Sequence, residues 1–266
     1  KRLQRHLVNN KKDVYLAPIV YCGNNIFFEC KKNSYIEKEI ILNQYQNNYV
    51  LDAISNFIID NSFFIDIGAN IGTVSLSIAK KCRRNGLKVL AFEASERLSQ
   101  KFTRNLVINK LTNVKLFNQA LSKNNSIIDF YEPDINTFNQ GLGSLSKNLD
   151  LEKYVRKNIQ TKTLDSHLKD EKLDDINISV IKIDVQGNEM DVVLGAMETI
   201  KRCSPVIVME YEEEYDDSNK NNKYKLLKFL RELRYEAFLI DIYEKNIYKK
   251  INFANFKNGN ILCIRY

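Results

Sequence analysis

The run FFIDIGANIG at residues 63–72 constrains this chain more than any other stretch. Phe63, Phe64, Ile65 and Ile67 make a short apolar strand, Gly68 and Gly72 follow at once, and a helical pattern spans Thr73 to Arg83. Strand, tight turn and helix form the repeating unit of an open parallel sheet, which binds ligands beyond the carboxyl ends of its strands. One glycine lets the backbone adopt torsions that other residues resist. The other lets a ligand or a helix approach with no Cβ in the way. Amide groups at the start of the helix suit a carboxylate as readily as a phosphate.

The spacing selects among ligands. A dinucleotide fingerprint needs G-x-G-x-x-G, whereas here Asn70 takes the middle position and the glycines stand as G-x-x-x-G after Asp66. This favours S-adenosylmethionine over NAD. The next strand ends in Phe92-Glu93-Ala94, placing a carboxylate about 20 residues past the turn, where it accepts both ribose hydroxyls.

From Phe63 onward apolar runs alternate with amphipathic ones. Strands are predicted at Phe63–Ile67, Lys88–Phe92, Val114–Asn118, Val180–Asp184, Val206–Glu210, Ala237–Ile240 and Ile261–Arg265, with helices at Thr73–Arg83, Ser95–Ile108 and Glu189–Lys201. Near-continuous apolar strands such as SVIKID and PVIVME imply burial on both faces. The expected fold is α/β and Rossmann-like: a mostly parallel sheet with an antiparallel edge strand and helices on both faces. Two stretches break the alternation. Residues Gln119–Thr163 hold an extra strand pair, Ala120–Leu121 with Ile127–Tyr131, followed by the polar loop EPDINTFNQGLGSLSKN. Residues Lys1–Asp60 hold a hairpin at Val14–Cys30 and an amphipathic helix near Glu37–Ile59. Residues 1–60 are therefore read as a cover over the ligand cleft and residues 61–266 as the catalytic domain.

A hydrophobic fraction of 44% with 27% charged residues excludes a disordered or fibrous chain. No apolar run approaches the roughly 20 residues that cross a bilayer, and KRLQRHLVNN lacks a signal-peptide core, so the expected location is cytoplasmic. Five scattered cysteines and two histidines give neither a disulfide framework nor a zinc pattern. The net charge of +7 allows an anionic partner. However, the basic residues lie as dispersed Lys pairs, not interleaved with aromatics, so no nucleic-acid partner is expected.

Five segments carry a family resemblance: FIDIGANIGTVSLSIA, VLAFEAS, NLVINKLTNVKLFNQALS, TLDSHL and IKIDVQGNEMDVVLGA. In this order, from Phe63 to Glu210, the chain resembles the FkbM family of methyltransferases. The resemblance implies a class I fold, S-adenosylmethionine as cofactor, and O-methylation of a sugar, glycolipid or related small-molecule hydroxyl. Two positions depart from the family pattern: Ala94, where Pro is frequent, and Gln186, where D-x-E-G has Glu. Gln186 is therefore assigned no proton-transfer role.

By resemblance and position, Asp66, Gly68, Ala69, Asn70 and Gly72 surround the amino-acid half of the cofactor. Glu93 and Ala94 meet the ribose, and Asn118, Gln119 and Ala120 frame the adenine. The amides of Asn118 and Gln119 serve equally well as turn caps. Asp184, at the end of the fourth strand beside the methyl group, is the first choice for a base that takes the acceptor proton. Glu189 and Glu210 orient the acceptor, or else favour a helix N-terminus and bind a backbone amide respectively. Clustered carboxylate oxygens also suit Mg²⁺, but the spacing assigns no metal ligand. The acidic run Glu210–Asp217 supplies ligands or polyol contacts, or is a solvated loop. Acceptor recognition is expected from Pro133–Asn148, with Asn139, Gln140, Ser144 and Ser146, unless this loop is a plain connector. The chain has no D-P-P-Y, N-P-P-Y or Pro-Cys motif. A methyltransferase acting on nucleic acid or protein, or a non-catalytic binding module, is thus the alternative.

Overall fold

The computed structural model describes residues 14–32, 34–42, 45, 48–133, 154–212, 224–240, 248–252 and 256–266. The chain opens with a hairpin, β1 (Tyr15–Tyr21) and β2 (Asn24–Cys30), then α1 (Tyr35–Ile41) and α2 (Asn48–Asn56). The alternation expected from Phe63 follows: β3 (Phe63–Ile67), α3 (Thr73–Lys81), β4 (Lys88–Phe92), α4 (Glu96–Asn109) and β5 (Val114–Phe117). Three strands then form a separate small sheet, β6 (Ala120–Leu121), β7 (Ser126–Pro133) and β8 (Tyr154–Lys162). The chain returns through α5 (Leu164–Asp170), β9 (Ile178–Ile183), α6 (Glu189–Leu194), α7 (Met197–Cys203), β10 (Val206–Glu212), α8 (Lys225–Glu232), β11 (Tyr235–Ile240), β12 (Tyr248–Lys250) and β13 (Asn258–Arg265).

The main sheet runs β12-β11-β13-β10-β9-β3-β4-β5. The five strands from β10 to β5 are mutually parallel, and β13 inserts antiparallel between β10 and β11. Side chains alternate across it. Phe64, Val89, Val180 and Val208 face one apolar cluster shared with the hairpin and helices α1–α4, while Ile65, Leu90, Ile181 and Ile207 face another beneath α5–α8. This two-sided burial explains why the strands read as apolar runs.

The hairpin is fastened by α4. Asn105 and Asn109, one helical turn apart, accept from the Glu29 and Phe27 backbone N–H groups at 2.9 Å each, and Asn109 donates back to the Phe27 carbonyl at 2.7 Å. The outer edge of β2 therefore has partners for groups that an edge strand otherwise presents to solvent.

Three expectations are corrected. The helix read over Glu37–Ile59 is two, α1 and α2, with Asn43 and Asn47, residues of low helix propensity, between them. The helix read over Glu189–Lys201 is also two. A Cβ on Gly195 would lie 2.1 Å from the Ser122 carbonyl oxygen, so the β6–β7 turn presses onto this joint. A new helix N-terminus then begins on Asp165, which accepts from the Glu198 and Thr199 N–H groups at 2.9 Å each. Finally, β6 and β7 do not pair with each other. The unforeseen β8 lies between them, parallel to β6 and antiparallel to β7. The loop read as the acceptor-binding segment lies outside the described residues after Pro133, as does the acidic run after Glu212.

Candidate active site

Sheet register assembles the site. One row of paired residues crosses five strands: Phe117, Phe92, Ile67, Ile183 and Met209. The next residues along these strands are Asn118, Glu93, Gly68, Asp184 and Glu210, so residues more than 140 positions apart meet at one carboxyl edge.

The glycine turn is folded tightly. Gly68, Asn70 and Gly72 have φ of 77°, 52° and 91°. A Cβ on Gly68 would stand 1.8 Å from the Asp184 carbonyl oxygen, and one on Gly72 would stand 2.7 Å from the Phe102 ring, so both glycines are required by space as well as torsion. The Gly68 and Ala69 N–H groups donate to the Phe92 carbonyl at 3.0 Å each. Asp66, fully buried below the turn, accepts from the Ser75 hydroxyl at 2.6 Å. No hydrogen-bond donor among the described residues satisfies its second oxygen, although the Lys182 ammonium lies 3.3 Å away.

Glu93 is 7% exposed. Its carboxylate accepts from the Asn70 N–H at 2.7 Å and the Ser95 N–H at 2.8 Å, clamping the turn to the end of β4. Burial outweighs these two donors and raises its pKa to about 7. Asn118 donates to the carbonyls of Glu93 and Ala94, and Gln119 to those of Gln160 and Ala120, so both amide groups act as caps here. Ser95 also donates to Glu132 at the end of β7, which pairs with Lys157 at 2.6 Å. The small sheet is thereby anchored beside Glu93.

On the other side, Asp184 accepts from Lys182 and from Gln186, both at 3.2 Å. Gln186 and Gly187 take φ of 54° and 97°, and Glu189 braces this bend by accepting from the Val185 and Gly187 N–H groups at 3.3 and 3.1 Å. Glu189 and Glu210 share the wall of a small cavity of about 30 Å³ with Gly187 and Met190. Glu210 opens toward solvent, yet desolvation by the surrounding protein, followed by the charges of Asp184 and Glu212, raises its pKa to about 7. Burial also raises that of Glu189.

Lys182 escaped the sequence reading, although its signal was present as a lone cation inside an apolar strand. Burial works against its charge, but Asp184 and Asp66 override this and raise its pKa. Tyr49 on α2 was missed too. It accepts from Asn260 at 3.0 Å, and burial, with a smaller contribution from the Glu210 charge, raises its pKa, so the N-terminal segment reaches the rim of the site. Among the described residues no three His, Cys, Asp or Glu side chains gather as metal ligands. No helix among them is long and apolar enough to cross a membrane.

A doubly wound sheet with an antiparallel insertion near one edge, a G-x-x-x-G turn under the switch between strands, and a buried carboxylate on the adjoining strand define a class I methyltransferase. The chain belongs to the methyltransferase FkbM domain family, whose sequence profile matches residues 66–237, well over half of its length. Among solved structures it resembles an rRNA methylase from Streptococcus thermophilus (14% identity, 83% of this chain and 96% of that one, TM-score 0.46). It also resembles a methyltransferase FkbM from Methylobacillus flagellatus KT (15%, 78% and 44%, TM-score 0.48). A third similar structure is the Pyrococcus abyssi tRNA (uracil-54, C5)-methyltransferase in complex with S-adenosyl-L-homocysteine (12%, 95% and 44%, TM-score 0.46). No curated protein sequence matches. The cofactor is S-adenosylmethionine, and the residues fit it: Asp66 has a buried oxygen that accepts no hydrogen bond among the described residues, and Gly68 and Gly72 hold a left-handed turn that has no room for a side chain of its own.

Proposed function

We propose that this enzyme transfers a methyl group to a hydroxyl of a sugar, glycan, glycolipid or related small molecule. The observation that carries this reading is a cavity of about 570 Å³ between β7, β8 and the start of α6, within the size range of small-molecule sites. Asn124, Asp129, Asn158, Asn188 and Asp191 line it, offering both donors and acceptors to hydroxyl groups. Its Lys123 is paired with Asp191 at 3.2 Å, which favours a neutral acceptor over a polyanion such as nucleic acid. Asn188, on its wall, immediately precedes Glu189 in the chain.

In this reading Asp66, Gly68, Ala69, Asn70 and Gly72 hold the amino-acid half of the cofactor, Glu93 and Ala94 its ribose, and Asn118, Gln119 and Ala120 its adenine. When bound, the cofactor supplies an electrophilic methyl group on a sulfonium. Glu210 takes the hydroxyl proton as the acceptor oxygen gains the methyl. A carboxylate with a pKa of about 7 is well matched to that task, whereas both oxygens of Asp184 are already engaged by Lys182 and Gln186. Asp184 then orients the acceptor, and Glu189 holds the loop between them. In the cover segment, Tyr49 on α2 closes the rim. The free thiols of Cys30, Cys82 and Cys263, all buried, support a reducing, cytoplasmic setting.

The test is a screen of cofactor turnover against neutral sugars, sugar nucleotides, glycolipids and RNA, read as S-adenosylhomocysteine formed. Turnover with hydroxyl compounds is expected. Methylation of RNA with none of any hydroxyl compound would overturn the acceptor class.

A further inference from the structure

Lys182 is a buried ammonium lying between two carboxylates from different strands, 3.3 Å from Asp66 and 3.2 Å from Asp184. Asp66 lies beneath the cofactor turn, and Asp184 follows the paired residue Ile183 on the neighbouring strand. A Cβ on Gly68 would collide with the Asp184 carbonyl, so the two segments are in contact. The trio thus sits in the wall shared by the cofactor turn and the acceptor side. Its formal charge is one cation against two anions. Glu93, Glu189 and Glu210 stand around it and add further negative charge, and Lys182 is a counter-charge that both Glu93 and Glu210 feel.

The two forms of the cofactor differ in charge at the reacting atom: the methyl donor is a sulfonium cation and the demethylated product a neutral thioether. A buried charge within about a nanometre of such a site acts through an effective dielectric well below that of water, so its contribution separates cation from neutral ligand where ordinary contacts do not.

We propose that the Asp66–Lys182–Asp184 trio sets the preference of the cofactor site between the cationic donor and its neutral product. Lys182 offsets part of the carboxylate charge, which restrains an otherwise larger preference for the sulfonium and keeps the donor from being held too tightly. Lys182 acts by its charge and takes no part in the transfer itself.

The inference rests on the cofactor assignment, and calorimetry of S-adenosylmethionine and S-adenosylhomocysteine on purified protein separates the two questions. If folded wild-type protein binds neither compound, the assignment itself fails. With both bound, Lys182→Met is expected to raise the ratio of the product's Kd to the donor's Kd by about tenfold, a unit charge at roughly a nanometre in a medium of effective dielectric near 20. Lys182→Arg, which keeps the charge, is expected to hold the wild-type ratio. Asp184→Asn, at a partly exposed position, is expected to lower the ratio and serves if the Met variant does not fold. A merely structural lysine would weaken both ligands equally. Unchanged ratios in the folded variants would overturn the proposal.

Discussion

Glu93 is a carboxylate held by two backbone N–H groups in a place where its charge is poorly solvated. Its pKa of about 7 in the folded protein lies above the ordinary 4.5, so between these values the folded state binds the extra proton. Stability must therefore fall as pH rises through that window, by on the order of 3 kcal/mol for this one group. Melting of cofactor-free protein is expected to be lower at pH 8 than at pH 5.5, and Glu93→Gln, which cannot titrate, should flatten that part of the profile. An unchanged slope in the variant would place the titration elsewhere. Glu210 gives the complementary kinetic prediction. As a base it must be ionised, so kcat/KM on a responsive acceptor should fall about tenfold per unit below pH 7. Glu210→Gln should lower kcat by about 10²–10⁴ and remove this limb. If Asp184→Asn alone abolishes the limb, the base is Asp184.

The elements that position these residues depend on close approaches. Gly195 ends α6 where the β6–β7 turn presses on it, and the space for a Cβ is taken by the Ser122 carbonyl at 2.1 Å. Gly195→Ala should cost about 1–3 kcal/mol by overpacking, read as a lower Tm, without changing donor affinity, because no side chain of the cofactor set is touched. A neutral effect on Tm would mean that the turn yields. The same contact shows why one helix was read where two exist. The apolar spacing of Val192, Val193 and Ile200 carries across the break, and the pressure on Gly195 comes from a turn some 70 residues earlier in the chain. The strand β8 was unreadable for a related reason. Its YVRKNIQTK is mostly exposed, so it lacks the apolar alternation that betrays a strand, and pairing with β7 supplies what hydrophobic pattern does not.

At the scale of the molecule, residues 14–60 share one apolar cluster with the sheet and α3–α4, and Ile26, Phe28, Leu51 and Ile54 have no exposed surface. At about 1.5–3 kcal/mol each, these four side chains alone approach the total stability of an ordinary domain. A chain lacking residues 1–60 is therefore expected to lose cooperative unfolding and to aggregate, as measured by circular dichroism and size exclusion. A truncated chain that melts sharply and binds S-adenosylmethionine would show instead that the segment is only a cover. The local sequence determined the strands Phe63–Ile67 and Lys88–Phe92, the turn between Asp66 and Thr73 and hence the kind of cofactor, because torsion demands and two-sided burial are written in contiguous residues. Only the tertiary structure decided that Asn118, Glu93, Gly68, Asp184 and Glu210 share one edge, that Lys182 lies between two carboxylates, and that both oxygens of Asp184 are engaged by Lys182 and Gln186. Register between distant strands brings these charges together, and a charge's chemistry depends on neighbours that chain order does not reveal.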